Sequence, residues 1–175
     1  MCVNLSRFGL ALAGLLLALA AQASEYNKGF NNTNYALEDV KPWEEGKYSI
    51  PAYPAAPDWI GFYVGPEVAN KYFADSKSMT VGEDGVVRLI LRVQSPAGAE
   101  NLSVEGIQCS ANTYRSYAFG DSINKRWIES MREEWRKIEY DDKARRALRE
   151  DLCVEKTAPK SAEQAVKLLR AAPWR

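Results

Sequence analysis

The stretch Ser78–Gln94, S-M-T-V-G-E-D-G-V-V-R-L-I-L-R-V-Q, decides the fold. Two runs rich in β-formers flank Gly82-Glu83-Asp84-Gly85, and Asp-Gly between such runs is a strong hairpin signal because glycine accepts the positive φ of a tight turn. A short strand over Ser78–Val81 and a long one over Val86–Gln94 are therefore predicted. Along the long strand Val87, Leu89, Leu91 and Val93 share one face, and Val86, Arg88, Ile90 and Arg92 share the other. One side is fully apolar and the other mixed.

Downstream, Ser95-Pro96-Ala97-Gly98-Ala99 reads as a second turn leading into a strand over Asn101–Cys109. After a short turn at Asn112, Thr113–Phe119 alternates again, so successive strands build an antiparallel meander. Upstream, Trp59–Val64 (W-I-G-F-Y-V) reads as the first strand, and Pro66–Phe73 fits one helical turn. Lys41–Pro57 carries Pro42, Pro51, Pro54 and Pro57 among Trp43, Tyr48 and Tyr53. Such proline density forbids a regular helix or central strand, and the aromatics suit an extended strap laid on the domain.

Beyond the meander the period changes. Trp127, Met131 and Trp135 would share a face if Arg126–Ile138 were helical, with a short edge strand as the alternative. Asp142–Cys153 places Ala144, Ala147, Leu148 and Leu152 on one helical face. Ser161 and Gln164 are spaced as a capping box for a last helix over Ser161–Leu169, which Pro173 ends. The expected fold class is α+β: an antiparallel sheet of about four or five strands with the C-terminal helices packed on one face.

The start of the chain has another character. Met1–Gly9 carries one basic residue, Arg7, and Leu10–Ala21 is an unbroken run of 12 Leu, Ala and Gly residues. Ala21-Gln22-Ala23 supplies the small-x-small pattern of a signal-peptidase site, so residues 1–23 read as a signal peptide cut before Ser24. The run falls short of the roughly 20 residues a spanning helix needs, so no membrane span is expected after cleavage. Cys2 precedes the apolar run and cannot be a lipidated cysteine at the cut. Residues 24–40, rich in Asn and Tyr without apolar periodicity, read as a poorly ordered lead-in, and 41–175 as one domain. The expected address is the periplasm.

Composition excludes several chemistries. The 175-residue chain has no histidine, which removes Ser-His-Asp and Cys-His catalysis and any imidazole-bound metal. Acidic and basic residues balance at 23 each without a long basic run, so nucleic acid is not an expected partner. No metal and no cofactor are expected; Walker and Rossmann glycine patterns are missing. Cys109 and Cys153 are the two cysteines left after cleavage, and an even count in an oxidising compartment argues for a disulfide. Closing a loop of that size is worth roughly 4 kcal/mol in the chain-entropy model.

Four residues around the second turn, Arg92, Asn101, Glu105 and Tyr117, form a candidate polar pocket for a small ligand. The plainer alternative pairs Glu105 with Arg88 or Arg92 across the sheet. The mixed-sign run Met131–Asp151 reads as a solvated helical surface with i to i+4 pairs. An exposed Trp43–Tyr53 aromatic strip for glycan or peptide is a further reading. Ser122 and Lys125 have Ser-x-x-Lys spacing, but the Ser-Asp-Asn and Lys-Thr-Gly elements of a serine–lysine enzyme are absent.

Several motifs together resemble a known family. They are P-A-Y-P (Pro51–Pro54), V-G-x-D-G-V-V-R (Val81–Arg88), S-P-x-G-A-x-N-L-S-x-E-G-I-x-C (Ser95–Cys109), Y-A-F-G (Tyr117–Gly120), W-R-x-I (Trp135–Ile138) and the late Cys153. In this order, over about Trp43 to Arg170, the chain resembles the cryptic neisserial protein 1-like family of exported proteins of Gram-negative bacteria. The resemblance implies a periplasmic or envelope location and one shared domain, and it carries over no activity, ligand or catalytic residue. The resulting expectation is a non-enzymatic binding or support domain whose partner is an envelope protein or a small ligand. A carboxylate-based hydrolase and a purely structural or stress-related envelope protein are the alternatives.

Overall fold

The protein is described by a computed structural model over residues 42–172. The signal-peptide reading of 1–23 and the lead-in reading of 24–40 lie outside the described residues.

The Gly82–Gly85 turn forms as expected, with Gly85 at φ 74° and its N–H donating to Gly82 O at 3.0 Å. It joins β3 (Thr80–Val81) to β4 (Val86–Gln94). Strand β4 pairs antiparallel along its whole length with β5 (Glu100–Gln108), which in turn pairs with β6 (Thr113–Asp121). On the other side β4 pairs with β2 (Lys71–Asp75), and β2 with β1 (Trp59–Phe62). Two short strands, β7 (Arg126–Glu129) and β8 (Arg136–Lys137), both pair with β6. The sheet therefore holds eight antiparallel strands rather than four or five.

The extra strands come from two segments, one expected as a helical turn and one for which a short edge strand was the alternative to a helix. Pro66–Phe73 is no helix: a turn closes from the Val68 N–H to Gly65 O, and from Lys71 the chain is a strand, Lys71–Asp75, with Ala74 fully buried between β1 and β4. Arg126–Ile138 is two edge strands and not a helix. There the open edge of β6 supplies backbone partners that an isolated helical turn could not match, and Met131 is left 99% exposed.

Helices α1 (Lys143–Leu152) and α2 (Ala162–Ala171) cover one face of the sheet, as the apolar spacing predicted. Leu148, Leu152, Ala165 and Leu169 meet Val87, Leu89, Leu91 and Ile107 in the main core. Each buried Leu, Val or Ile side chain among them contributes about 1.5–3 kcal/mol. The starts are capped by side chains: Asp142 accepts from the Arg145 N–H and Ser161 from the Gln164 N–H. Cys153 caps α1 and is bridged to Cys109 just after β5, clamping that helix to the sheet.

The other face is covered by the strap. Ile90, Val104, Tyr117 and Ala118 form a second core with Tyr48, Ile50, Trp59, Leu102 and Trp127. A bulge makes this possible. Val104 is opposite Ala118 but Glu105 is opposite Ser116, so Tyr117 is the extra residue, and it joins Ala118 on the strap side.

Candidate functional site

Residues 42–58 have no helix or strand, as the prolines require, and are fixed by side chains instead. The Trp43 indole N–H donates to Asp84 O at 2.9 Å, and the Trp127 indole N–H donates to Pro51 O at 2.9 Å. Trp43 meets Trp135 edge-on at 5.4 Å, Tyr48 meets Tyr117 at 4.8 Å, and Tyr53 meets Trp127 at 5.0 Å. The aromatic strip is thus a set of anchors, although Trp43 stays 41% exposed.

Glu45 lies at the centre of this arrangement. Its Oε1 accepts from Tyr117 Oη at 2.5 Å and Arg88 Nη2 at 3.2 Å. Its Oε2 accepts from Arg115 Nη1 at 2.7 Å and Trp135 Nε1 at 3.0 Å. Four donors from β4, β6 and the segment before β8 converge on one carboxylate. Arg88, only 3% exposed, also holds Asp84 through two bonds of 2.6 and 3.2 Å and donates from Nε to Tyr117 Oη at 3.0 Å. Asp84 accepts the Gly46 N–H at 2.8 Å, tying the hairpin turn to the strap. Two guanidinium groups face two carboxylates, so the cluster is neutral.

Gly106 makes room for it. A Cβ there would lie 2.7 Å from Tyr117 Oη and 3.1 Å from the Trp135 ring. The ionisation follows the contacts. Burial would raise the Glu45 carboxyl, but hydrogen bonds from Tyr117, Trp135 and Arg88 and the charge of Arg115 outweigh it and hold it below its ordinary value. Asp84 is lowered in the same way, against its burial, by Arg88 and the N–H groups of Gly46 and Val86. Burial and the bond to Glu45 push the Tyr117 phenol up, so it remains a donor.

Beside this cluster the sheet edge opens. β7 pairs with Ala118–Asp121 and β8 with Thr113–Tyr114, so Arg115–Tyr117 carries neither strand, and Ser130 N–H donates to Tyr117 O at 2.8 Å where the gap begins. The result is a cleft of about 460 Å³. Arg115 and Tyr117 line it from β6, Tyr48 and Ser49 from the strap, Glu129 from the end of β7, and Arg132 and Glu133 from the connection between β7 and β8. Its volume falls in the range of small-molecule sites.

The four residues expected to form a pocket are not brought together. Tyr117 is in the Glu45 cluster. Arg92 shares the strap face but lies between Trp59 (4.6 Å) and Phe73 (4.1 Å), with Nη1 on Glu100 at 3.3 Å. Asn101 sits opposite Val93 at the exposed end of β5. Glu105 points to the helices, because the register sets it opposite Leu89 and sets Gly106 opposite Arg88. Neither Arg88 nor Arg92 pairs with it. At 1% exposure Glu105 takes two 2.7 Å bonds from Arg145 of α1 and one of 2.9 Å from Ser103. Arg145 itself stacks on Tyr114 at 4.0 Å.

The run Met131–Asp151 is accordingly only in part a solvated helix: Arg146 and Glu150 form an i to i+4 pair at 3.8 Å, while Arg145 turns inward. Ser122 and Lys125 belong to the turn between β6 and β7, where Asp121 accepts the N–H groups of Ile123 and Asn124. Sequence reasoning missed Glu45, Asp84 and Arg115. The available signal was an acidic pair, Glu44-Glu45, inside a segment otherwise read as aromatic packing.

Among the described residues no group of three or more His, Cys, Asp or Glu side chains is placed to hold a metal ion, and no helix is long and apolar enough to cross a membrane.

Residues 38–170 match the family model described as the CNP1-like family. The chain is 28% identical over 138 residues to cryptic neisserial protein 1 of Neisseria gonorrhoeae, covering 69% of this chain and 68% of that protein. No solved structure matches.

Proposed function

The chain belongs to the CNP1-like family, and from that premise we propose that it is an exported, non-enzymatic binding domain of the cell envelope whose ligand site is the cleft over Arg115–Tyr117. The observation that carries this reading is the way Arg115 is held. Glu45 fixes its Nη1 at 2.7 Å and Tyr117 underlies it at 5.1 Å, while 24% of the side chain stays exposed and the residue lines the cleft. A charged donor locked by its own neighbours at the base of a polar cleft is pre-organised for a ligand.

The export part draws support from the leader-like pattern of residues 1–23 and from the Cys109–Cys153 bridge, which persists in an oxidising compartment. The binding part is favoured over a carboxylate hydrolase by the direction of the ionisations. The carboxylates of Glu45, Asp58, Asp84, Asp121 and Glu163 are all displaced downward. A general acid at neutral pH needs the opposite shift.

Two measurements test the reading. Fractionation with intact mass should find the chain outside the cytoplasm and cut before Ser24; an uncut cytoplasmic chain refutes export. Native mass spectrometry of protein recovered from an envelope fraction should show a bound small molecule that Arg115→Met abolishes. Protein free of any such species, or equal occupancy in the variant, refutes the binding site.

A further inference from the structure

Resting on that reading of the cleft, we propose that its ligand is a small zwitterionic peptide, with its carboxylate received by Arg115 and Arg132 and its ammonium by Glu129 and Glu133. The sign pattern of the lining decides the class. A simple anion would meet Glu129 and Glu133 as well as the arginines, and a simple cation would meet both guanidinium groups. A molecule that carries both charges uses all four. Peptide ends provide a carboxylate and an ammonium separated by polar amide groups, and Tyr48 and Ser49 of the strap border the same space.

The arginine on the floor supports this independently of the loop. Arg115 donates from Nη1 to Glu45, yet its Nε is buried without a hydrogen-bond partner. The buried Nε is out of a ligand's reach, but 24% of the side chain is exposed and only Nη1 is engaged among the described residues, so the guanidinium keeps a donor for an acceptor from outside. Planar guanidinium groups also match a carboxylate through paired N–H donors. On the loop side, Arg132, Glu129 and Glu133 are exposed and form no ion pair among the described residues. Their charges are uncommitted. The loop backbone is set by Ser130, whose Oγ accepts the Arg132 N–H at 3.2 Å.

Isothermal titration of the mature protein with trialanine, N-acetyl-trialanine and trialanine amide tests the assignment. Unblocked trialanine should bind, and blocking either end should weaken binding at least about tenfold, the equivalent of about 1.4 kcal/mol. Arg132→Ala should weaken trialanine but leave the amide unaffected, and Glu133→Gln should do the same for the acetylated form. Both residues are exposed, so the fold is spared, and unchanged melting temperatures check this. Equal binding of all three peptides, or no binding of trialanine at millimolar concentration, overturns the assignment. If trialanine fails while native mass spectrometry still finds an Arg115-dependent species, only the ligand class falls. If both fail, the binding-domain reading falls with it.

Discussion

Replacing Glu45 with alanine removes the acceptor for four hydrogen bonds, two from guanidinium groups and two from neutral donors. All four end on an ionised carboxylate, and hydrogen bonds to charged groups contribute about 1.5–3 kcal/mol each. The full sum is not expected. Arg88 keeps Asp84, and Glu45 and Arg115 are 17% and 24% exposed, so water can replace part of what is lost. A net loss of about 2–4 kcal/mol follows, below or within the range for breaking a fully buried pair. That corresponds to a fall of about 10 °C in melting temperature for a domain of this size. Urea unfolding followed by tryptophan fluorescence suits the test, because Trp43 and Trp135 sit on the cluster. Acid adds a second reading. The Glu45 carboxyl lies below its ordinary value of 4.5 in the folded protein, so its contribution is complete above that pH and is lost as pH falls through the lowered folded value. The gap between wild type and Glu45→Ala should therefore close on acidification below pH 4.5. A variant within about 0.5 kcal/mol of wild type at pH 7, or a gap that survives in acid, would refute the reasoning.

Three further outcomes follow from the packing. Arg145→Met leaves Glu105 buried and unpaired and should cost about 3–5 kcal/mol in thermal unfolding; adding Glu105→Leu should recover much of that loss, and no recovery would contradict a paired-charge origin. Gly106→Ala should displace the Tyr117 ring, costing about 1–3 kcal/mol and altering the near-ultraviolet circular dichroism, whereas an unchanged spectrum would show that the close approach is not required. Cys153→Ala opens a loop spanning a sequence separation of 44 and should lose up to about 4 kcal/mol. In the unaltered protein, neither Cys109 nor Cys153 should accept an alkylating label before reduction, and labelling of both in the native state would rule out the bridge.

The sheet was legible where side-chain period and turn chemistry agreed. Val86–Gln94 alternates between Val87, Leu89 and Leu91 against the helices and Arg88, Ile90 and Arg92 against the strap, and both faces are covered as that pattern demands. The proline and aromatic content of 41–57 likewise identified the strap. Lys71–Asp75 was missed because K-Y-F-A-D has no strong alternation, and only its position between β1 and β4 makes it a strand. The site was hidden for a different reason. Glu45 meets Arg115 from 70 residues away, and the bulge at Tyr117 aims that ring at the strap. One register step likewise separates a Glu105 paired with Arg88 from the Glu105 observed on Arg145.

The central claim is that the cleft over Arg115–Tyr117 binds a ligand, and amide and indole chemical shifts report it most directly. Isotope-labelled protein is titrated with the low-molecular-weight fraction of an envelope extract. Shifts should concentrate on Tyr48, Arg115–Tyr117, Ser130–Glu133 and the Trp135 indole, and vanish in Arg115→Met. An unperturbed spectrum, or shifts confined to other surfaces, contradicts the account.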